Sequence, residues 1–365
     1  LNPAFSILHM RHMTPIFYQT IHRLREAIQL EISQSPSRNR ETGVEIDVLS
    51  WMGRVALELI GQGGLGYSFD PLVKTEHNAF GEALKDVFPT VGRCTTYRFL
   101  CHHANKFGPP RLRRIFASLF PDRNIQTLKR IIDSIEDRSK EILEAKKGAI
   151  LVEGDDEVLK MEVGEGKDIM SILLRANMKT EGDDKLPDHE LVAQVSTLVL
   201  AATDTTSNAL ARIFELLAQH QDVQDKLRQE ILDACDSQDG SFTDIPHDKL
   251  VELPYLDAVC RETLRLYPPS SFVMRETRQD IMLPMSEPVQ GVDGSYMQEI
   301  LVPNNTLVFV GIQACNRNKV IWGEDALEWK PERWLNSLPN SIKEAKVPGI
   351  YANLMTFLGG GNACM

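Results

Sequence analysis

A chain of 365 residues with 40 Lys and Arg against 51 Asp and Glu carries a formal net charge of −11. That leaves no overall basic surface for nucleic acid, although a small basic patch could still dock an acidic partner. With 42% hydrophobic and 25% charged residues, the composition is that of a globular protein long enough for one large domain or two ordinary ones.

In chain order, the first half reads helical. Apolar residues from Met13 to Glu31 (Ile16, Phe17, Ile21, Leu24, Ile28, Leu30) share roughly one helical face. Ile46 to Ile60 forms a second helix that Gly61, Gly63 and Gly64 are expected to end. Leu112 to Ala145 is a third helical region, broken at Pro121. Residues 146–187 are rich in Gly, Glu and Asp and read as a loop, a short helix near Ile169 to Leu174, and a turn at Gly182-Asp183-Asp184. Asp188 to His220 has no internal Gly or Pro, and Glu190 sits in its first turn, where the helix dipole favours a carboxylate. It should be a helix long enough to cross a whole domain. After Pro268 the pattern changes: Met282 to Val292 and Ile300 to Val310 are short apolar or alternating runs broken by Pro, Gly and Asn, which read as strands and turns. The organisation is a helical body over about 1–267 and a sheet, meander and cysteine loop over about 268–365. The longest apolar stretch, around Leu198 to Ala202, is too short to cross a bilayer.

Six cysteines are scattered, at Cys94, Cys101, Cys235, Cys260, Cys315 and Cys364, with no C-x-x-C pair. Five read as reduced, mostly buried thiols in a cytosol-facing protein. Cys364 closes Phe357-Leu358-Gly359-Gly360-Gly361-Asn362-Ala363-Cys364. The glycines let backbone approach a flat ligand, and the thiolate could bind a metal. Taken alone, the segment is more simply a glycine-rich turn with a buried cysteine. A cysteine nucleophile has no His near it in sequence.

Two further constellations carry chemistry. Inside the long helix stands Ala201-Ala202-Thr203-Asp204-Thr205-Thr206. Ala201 and Thr205, four apart, share a face thin enough for a planar cofactor, with a hydroxyl and a carboxylate able to order water and move protons. The simpler reading, hydroxyls bonding back to the preceding turn, explains Thr and Ser but not an Asp in mid-helix. Glu262 and Arg265, three apart, would ordinarily be a surface pair worth tenths of a kcal/mol. Leu256, Val259, Leu264 and Leu266 instead suggest an apolar setting, in which Arg333, within Pro331-Glu332-Arg333-Trp334, could add a second cation.

Order and spacing together resemble the cytochrome P-450 family: an oxygen-activating helix, a Glu-x-x-Arg helix, a Pro-Glu-Arg-aromatic meander and a glycine-rich cysteine loop. The resemblance covers essentially the whole chain. The opening Leu1-Asn2-Pro3-Ala4-Phe5-Ser6, with Trp51 to Tyr67, is similar to fungal, particularly mushroom-type, members. It implies a mainly α fold with minor β. It also implies a haem-dependent monooxygenase that inserts one oxygen atom from dioxygen into an apolar organic substrate, using NADPH electrons delivered by a reductase.

By position, the resemblance makes Cys364 the iron ligand of haem b. Phe357 packs beside the thiolate, and Gly360, Ala201 and Ala202 lie at the cofactor. Asp204 and Thr205 become the acid–alcohol pair for dioxygen protonation, and Glu262, Arg265 and Arg333 a structural triad. Arg275 matches a contact to a haem propionate, although a surface strand arginine is nearly as good a reading. Ser270, Ser271, Phe272, Val273 and Met274 would line the substrate pocket. Two residues depart from the family pattern: Ala202 replaces the usual Gly, and Asn362 replaces the usual Arg, removing a cation for a propionate.

The chain opens without an initiator Met and stops at Met365. Both ends of the family's domain are therefore expected to be missing, including a membrane anchor that would hold the enzyme on the cytosolic face of the endoplasmic reticulum. Stable haem binding by residues 1–365 alone is not expected. The rival readings are a haem-thiolate isomerase or dehydratase, which often lacks the acid–alcohol pair, and an inactive truncated fragment.

Overall fold

A computed structural model describes residues 6–35, 43–70, 72, 79–94, 97, 108–152, 168–235 and 243–360, with backbone only at 79, 151, 152 and 183. The chain forms two compact units, Leu1–Leu253 and Pro254–Cys364.

The first unit is built from α1 (Ile7–Gln34), α2 (Val48–Leu59), α3 (Ala79–Lys85), α4 (Val87–Arg93), α5 (Pro110–Leu119), α6 (Arg123–Val152), α7 (Ile169–Lys179), α8 (Asp188–Gln219), α9 (Gln221–Ala234) and α10 (His247–Val251). α8 packs on α2 and α6. Val195 and Val199 of α8 are buried with Leu57, Ile135, Ile142 and Leu143, so the long helix forms the spine of this core. α1 begins at Ile7, earlier than its apolar pattern, because the Ser6 side chain accepts from the His9 amide; Pro15 then lies inside it.

Gly61, Gly63 and Gly64 do not end α2, contrary to the sequence expectation. The chain widens into a π-helical turn, Ile60–Leu65, and stops only at Gly66, in the left-handed region at φ 55°. The reason is packing. A Cβ on Gly61 would sit 2.5 Å from the Tyr67 carbonyl oxygen, and one on Gly63 would sit 2.6 Å from Met13 Cε. These glycines permit close approach rather than termination. Buried Glu58 fixes the turn by accepting from Gln62 Nε2, Ser68 Oγ and the amides of Phe69 and Asp70.

The region read as Leu112 to Ala145 is two helices, α5 and α6, parted around Pro121. α7 starts where expected, capped by Asp168, but runs five residues further, to Lys179. Asp168 also meets Lys146 at 2.8 Å, with both side chains almost fully buried.

The second unit opens with α11 (Pro254–Leu266) and continues through β1 (Val273–Glu276), β2 (Ile281–Gln290), β3 (Tyr296–Val302) and β4 (Leu307–Val310). α12 (Ile312–Asn316), α13 (Lys319–Trp322), a 3-10 turn (Pro331–Trp334), α14 (Asn340–Glu344), β5 (Gly349–Tyr351) and β6 (Leu354–Leu358) follow. The strands form three antiparallel pairs, β1–β4, β2–β3 and β5–β6. The Ile300 to Val310 run, read as strands and turns, is divided between two sheets: Ile300 faces Leu283, whereas Leu307 faces Glu276. Pro303, which has no N–H to give a ladder, and Asn305, at φ 61°, turn the chain between them. Trp322, Ala326, Ile342 and Leu354 make this unit's apolar core.

Among the described residues no helix is long and apolar enough to cross a membrane.

Candidate functional site

α11 carries Glu262 and Arg265 on its packed side, and both side chains are fully buried at 0% exposure. The surface-pair reading of this spacing is therefore ruled out. Arg265 Nε and Nη2 meet the two Glu262 carboxylate oxygens, each at 2.8 Å. Its remaining N–H groups donate to the carbonyls of Asn316 at 2.9 Å, Ala326 at 2.6 Å and Glu328 at 3.1 Å. All five donors of the guanidinium are thus matched. Glu262 also accepts from Arg333 Nε at 3.3 Å, the Lys330 amide at 3.1 Å and Trp334 Nε1 at 3.0 Å. Arg333 extends outward to Asp325 at 2.8 Å, and its hydrogen bond holds the Asp325 carboxyl below the usual range.

The three expected members of this cluster come together. Sequence reasoning missed Trp334, Trp329 (which donates to Thr263 Oγ1), Asp325 and Asn316. The tryptophans flanking Pro331-Glu332-Arg333 are a signal that could have found the first two. Nothing marks Asn316 in the sequence. Almost fully buried, it gives its carbonyl to Arg265, its Nδ2 to Thr356 Oγ1 and its Oδ1 to the Met355 amide. Thr356 in turn donates to the Leu264 carbonyl of α11. Asn316 thereby ties the buried charge cluster to β6, the strand that leads into the glycine-rich segment. Phe357 on β6 sits edge-on to Tyr351 at 5.5 Å. The Gly359 amide donates to the Pro348 carbonyl, an approach that a Cβ would obstruct at 2.8 Å, and Gly360 has φ 122°. Cys364 and Asn362 lie outside the described residues, as does Cys101.

In α8, Ala201 and Thr205 share an exposed face. The Thr205 hydroxyl donates to the Ala201 carbonyl at 2.7 Å, the back-bonding that the simpler reading foresaw. Asp204 is half-buried, and burial pushes its carboxyl above the ordinary range. Thr203 is buried with its hydroxyl unmatched among the described residues.

Arg275 is exposed on β1 and donates to the Met274 carbonyl, its own neighbour. Ser270, Ser271 and Phe272 are exposed, while Val273 and Met274 are half-buried. Cys94, Cys235, Cys260 and Cys315 are half-buried free thiols, more accessible than the sequence reading held. Burial nevertheless pushes the Cys260 thiol up to about 11.

The long helix with Ala201 to Thr206, the Glu262–Arg265 helix locked to the meander, and the strand leading into the glycine-rich segment follow one another in the order that the sequence reading set out. The family model for cytochrome P450 matches residues 1–357. The chain is 52% identical over 368 residues to cytochrome P450 monooxygenase 219 of Postia placenta. It is 47% identical over 367 residues to ganoderic acid synthetase CYP5150L8 of Ganoderma lucidum. Each comparison covers 100% of this chain and 65% of the relative. A crystal structure of a cytochrome P450, CYP102L1, superposes with a TM-score of 0.70 at 24% identity, covering 99% of this chain and 68% of that one, which is a likeness of fold. The chain belongs to the cytochrome P450 family and spans 65% of the length of the two curated relatives described here.

Proposed function

We propose that the protein is a haem-dependent monooxygenase that places one oxygen atom from dioxygen in an apolar organic substrate, with NADPH electrons supplied through a reductase. The observation that carries this reading is the acid–alcohol pair on α8: Thr205 exposed on the face of Ala201, and Asp204 half-buried with a raised pKa. Haem, which family membership implies, fits the residues present. Ala201 projects nothing beyond Cβ on that exposed face, and the sequence after β6 supplies a soft sulfur ligand at Cys364. Cys364 would hold the iron, with Phe357, Gly360, Ala201, Ala202 and Arg275 around the macrocycle. When bound, a thiolate-ligated haem supplies dioxygen activation.

The chain's own part is proton handling and orientation. The Thr205 hydroxyl can rotate from the Ala201 carbonyl to hold a water, and a carboxyl raised by burial exchanges protons closer to neutral pH than an exposed aspartate does. A reductase partner and a place at the cytosolic face of the endoplasmic reticulum belong to the same proposal. The ganoderic acid synthetase relative makes ganoderic acid precursors the first compounds to screen.

The test is Thr205→Ala in a chain extended to the length of its relatives. A positioned proton donor contributes roughly 10²–10⁴-fold. The variant should keep haem and substrate binding, form less product per NADPH and release more hydrogen peroxide. Rapid turnover of a hydroperoxide without reductase, unchanged in Thr205→Ala, would replace this reading with an isomerase. In a chain extended to the length of its relatives, Cys364→Ala should lose the thiolate-type carbon monoxide spectrum, whereas replacing Cys94, Cys101, Cys235, Cys260 or Cys315 should not.

A further inference from the structure

The β5–β6 hairpin carries a polar arrangement separate from the Glu262 cluster. Its turn residues Ala352 and Asn353, at φ 52° and 56°, fold β5 back on β6 and set Tyr351 opposite Leu354. The half-buried Tyr351 ring meets Phe357 edge-on at 5.5 Å. Its hydroxyl donates to Asp257 Oδ1 at 3.1 Å, and the other Asp257 oxygen pairs with Arg261 at 2.7 Å. The Arg261 guanidinium carbon lies 5.3 Å from the Tyr351 ring centroid and 5.7 Å from that of Trp334. Burial first, and Asp257 second, push the phenol above its usual range, so it keeps its proton at neutral pH.

These contacts single out Tyr351 among the aromatic residues of this unit. A phenol that loses an electron while giving its proton to a carboxylate stays neutral, and a nearby guanidinium does not oppose that. An indole that loses an electron first becomes a cation. Trp334 would do so under Arg261, and Trp322 under Arg265, whose guanidinium carbon is 5.0 Å from its ring. The Trp334 N–H is given to Glu262, which cannot take that proton without breaking the buried cluster. Phe357 has no acidic proton to lose. Asp257 is partly open to water and can pass a proton on. Tyr255 also donates to a carboxylate, at Glu332, and serves as an internal control.

We propose that Tyr351 is a one-electron outlet for the cofactor, discharging haem that has been oxidised with no substrate to take up the oxidising equivalent. Hydrogen peroxide is the oxidant that loads the haem in this way. The Tyr351 O–H bond breaks, the electron goes to the haem, and the proton goes to the Asp257 carboxylate. A neutral tyrosyl radical and a carboxylic acid remain. A soluble reductant such as ascorbate then returns one electron and one proton to the phenol. Phe357, placed beside the iron ligand in the proposed site, links Tyr351 to that side of the cofactor. The oxidant rests on the haem reading, whereas the donor and its proton acceptor belong to the chain and can be tested without haem.

In the 365-residue chain with Cys94, Cys101, Cys235, Cys260 and Cys315 replaced by alanine, Cys364 is the single thiol and takes a ruthenium polypyridyl label. Flash oxidation of the label should give a tyrosyl radical, seen by transient absorption and electron paramagnetic resonance. Tyr351→Phe should abolish that signal, and Tyr255→Phe should leave it unchanged. Asp257→Asn should slow its formation by roughly tenfold or more, because the proton acceptor is gone. A second measurement keeps the natural thiols. In a haem-loaded chain extended to the length of its relatives, peroxide without substrate should give the same radical. Tyr351→Phe should lose it and bleach the haem faster. A tryptophan radical in its place, an equal signal in Tyr351→Phe, or a rate indifferent to Asp257→Asn would overturn the proposal. A missing thiolate-type carbon monoxide spectrum in the extended chain would instead overturn the haem reading, and the outlet would lose its oxidant whatever the labelled chain shows.

Discussion

Around Glu262, the Arg265 guanidinium, the carboxylate and the Trp334 indole are matched bond for bond in a buried interior, and Arg333 adds four further hydrogen bonds. Along α8, from Thr203 to Asn208, polar groups either turn back on their own helix or stay open. Thr205 and Asn208 donate to carbonyls four residues behind, and the Thr203 hydroxyl is buried with no match among the described residues. The first region commits all five Arg265 donors and both Glu262 oxygens, which is the arrangement of a structural cluster. The second gives up little when a side chain turns away, which suits groups that must exchange partners during a reaction. A low local dielectric raises the value of a complete network and the cost of an incomplete one.

The largest test of that contrast is Glu262→Ala. It strips buried Arg265 of its counter-charge, leaves Arg333 with Asp325 alone, and should cost on the order of 3–5 kcal/mol, seen as a collapse of the melting transition. Arg333→Ala should cost less, because Arg265 still neutralises Glu262, but it too should act on stability and haem retention rather than on the chemical step. A normal melting profile in both would reduce the cluster to ordinary ion pairing.

Asn316→Ala comes next. Losing the side-chain bonds to Thr356 and Met355 leaves buried groups unmatched, at about 1–3 kcal/mol, and should loosen β6. Hydrogen exchange at the β6 amides would show this as lost protection, and unchanged protection would remove Asn316 from the link between cluster and strand.

On the other side of the comparison, Thr205→Ala should change folding stability by no more than about 0.5 kcal/mol, because alanine is the better helix former and the lost bond is local. The smallest effect concerns Asp204. Burial raises its carboxyl pKa, so the folded chain favours the protonated form. The stability contributed by that form is complete below the unfolded carboxylate pKa and is lost as pH rises through the raised value. Asp204→Asn should therefore melt higher than the unchanged chain at neutral pH and equally in acid. A pH series of melting temperatures showing no such crossover would mean that Asp204 is solvated.

The sequence made the long helices and the Glu262–Arg265–Arg333 cluster legible because each rests on local spacing: apolar periodicity in α8, three-residue separation in α11, and a proline-led turn at Pro331. It misread features decided at a distance. Gly61 and Gly63 look like stop signals until Tyr67 and Met13 are seen crowding them. Pro303 and Asn305 mark the break in Ile300 to Val310, but that its two halves pair with Leu283 and Glu276 in separate sheets is not written locally. Asn316 could not be found from local pattern, since its partners lie 39, 40 and 51 residues away.

Arg265 has one more consequence, for evolutionary drift. Three of its five acceptors are main-chain carbonyls, at Asn316, Ala326 and Glu328. The guanidinium therefore gauges the path of the meander and is indifferent to most of its side chains. Apart from Trp322, whose ring centroid lies 5.0 Å from the guanidinium carbon, substitutions between 317 and 328 that keep the path cost nothing at Arg265, so that stretch is free to diversify on its outer surface. Arg265 itself is not: lysine would keep the charge but bring three donors to five fixed acceptors.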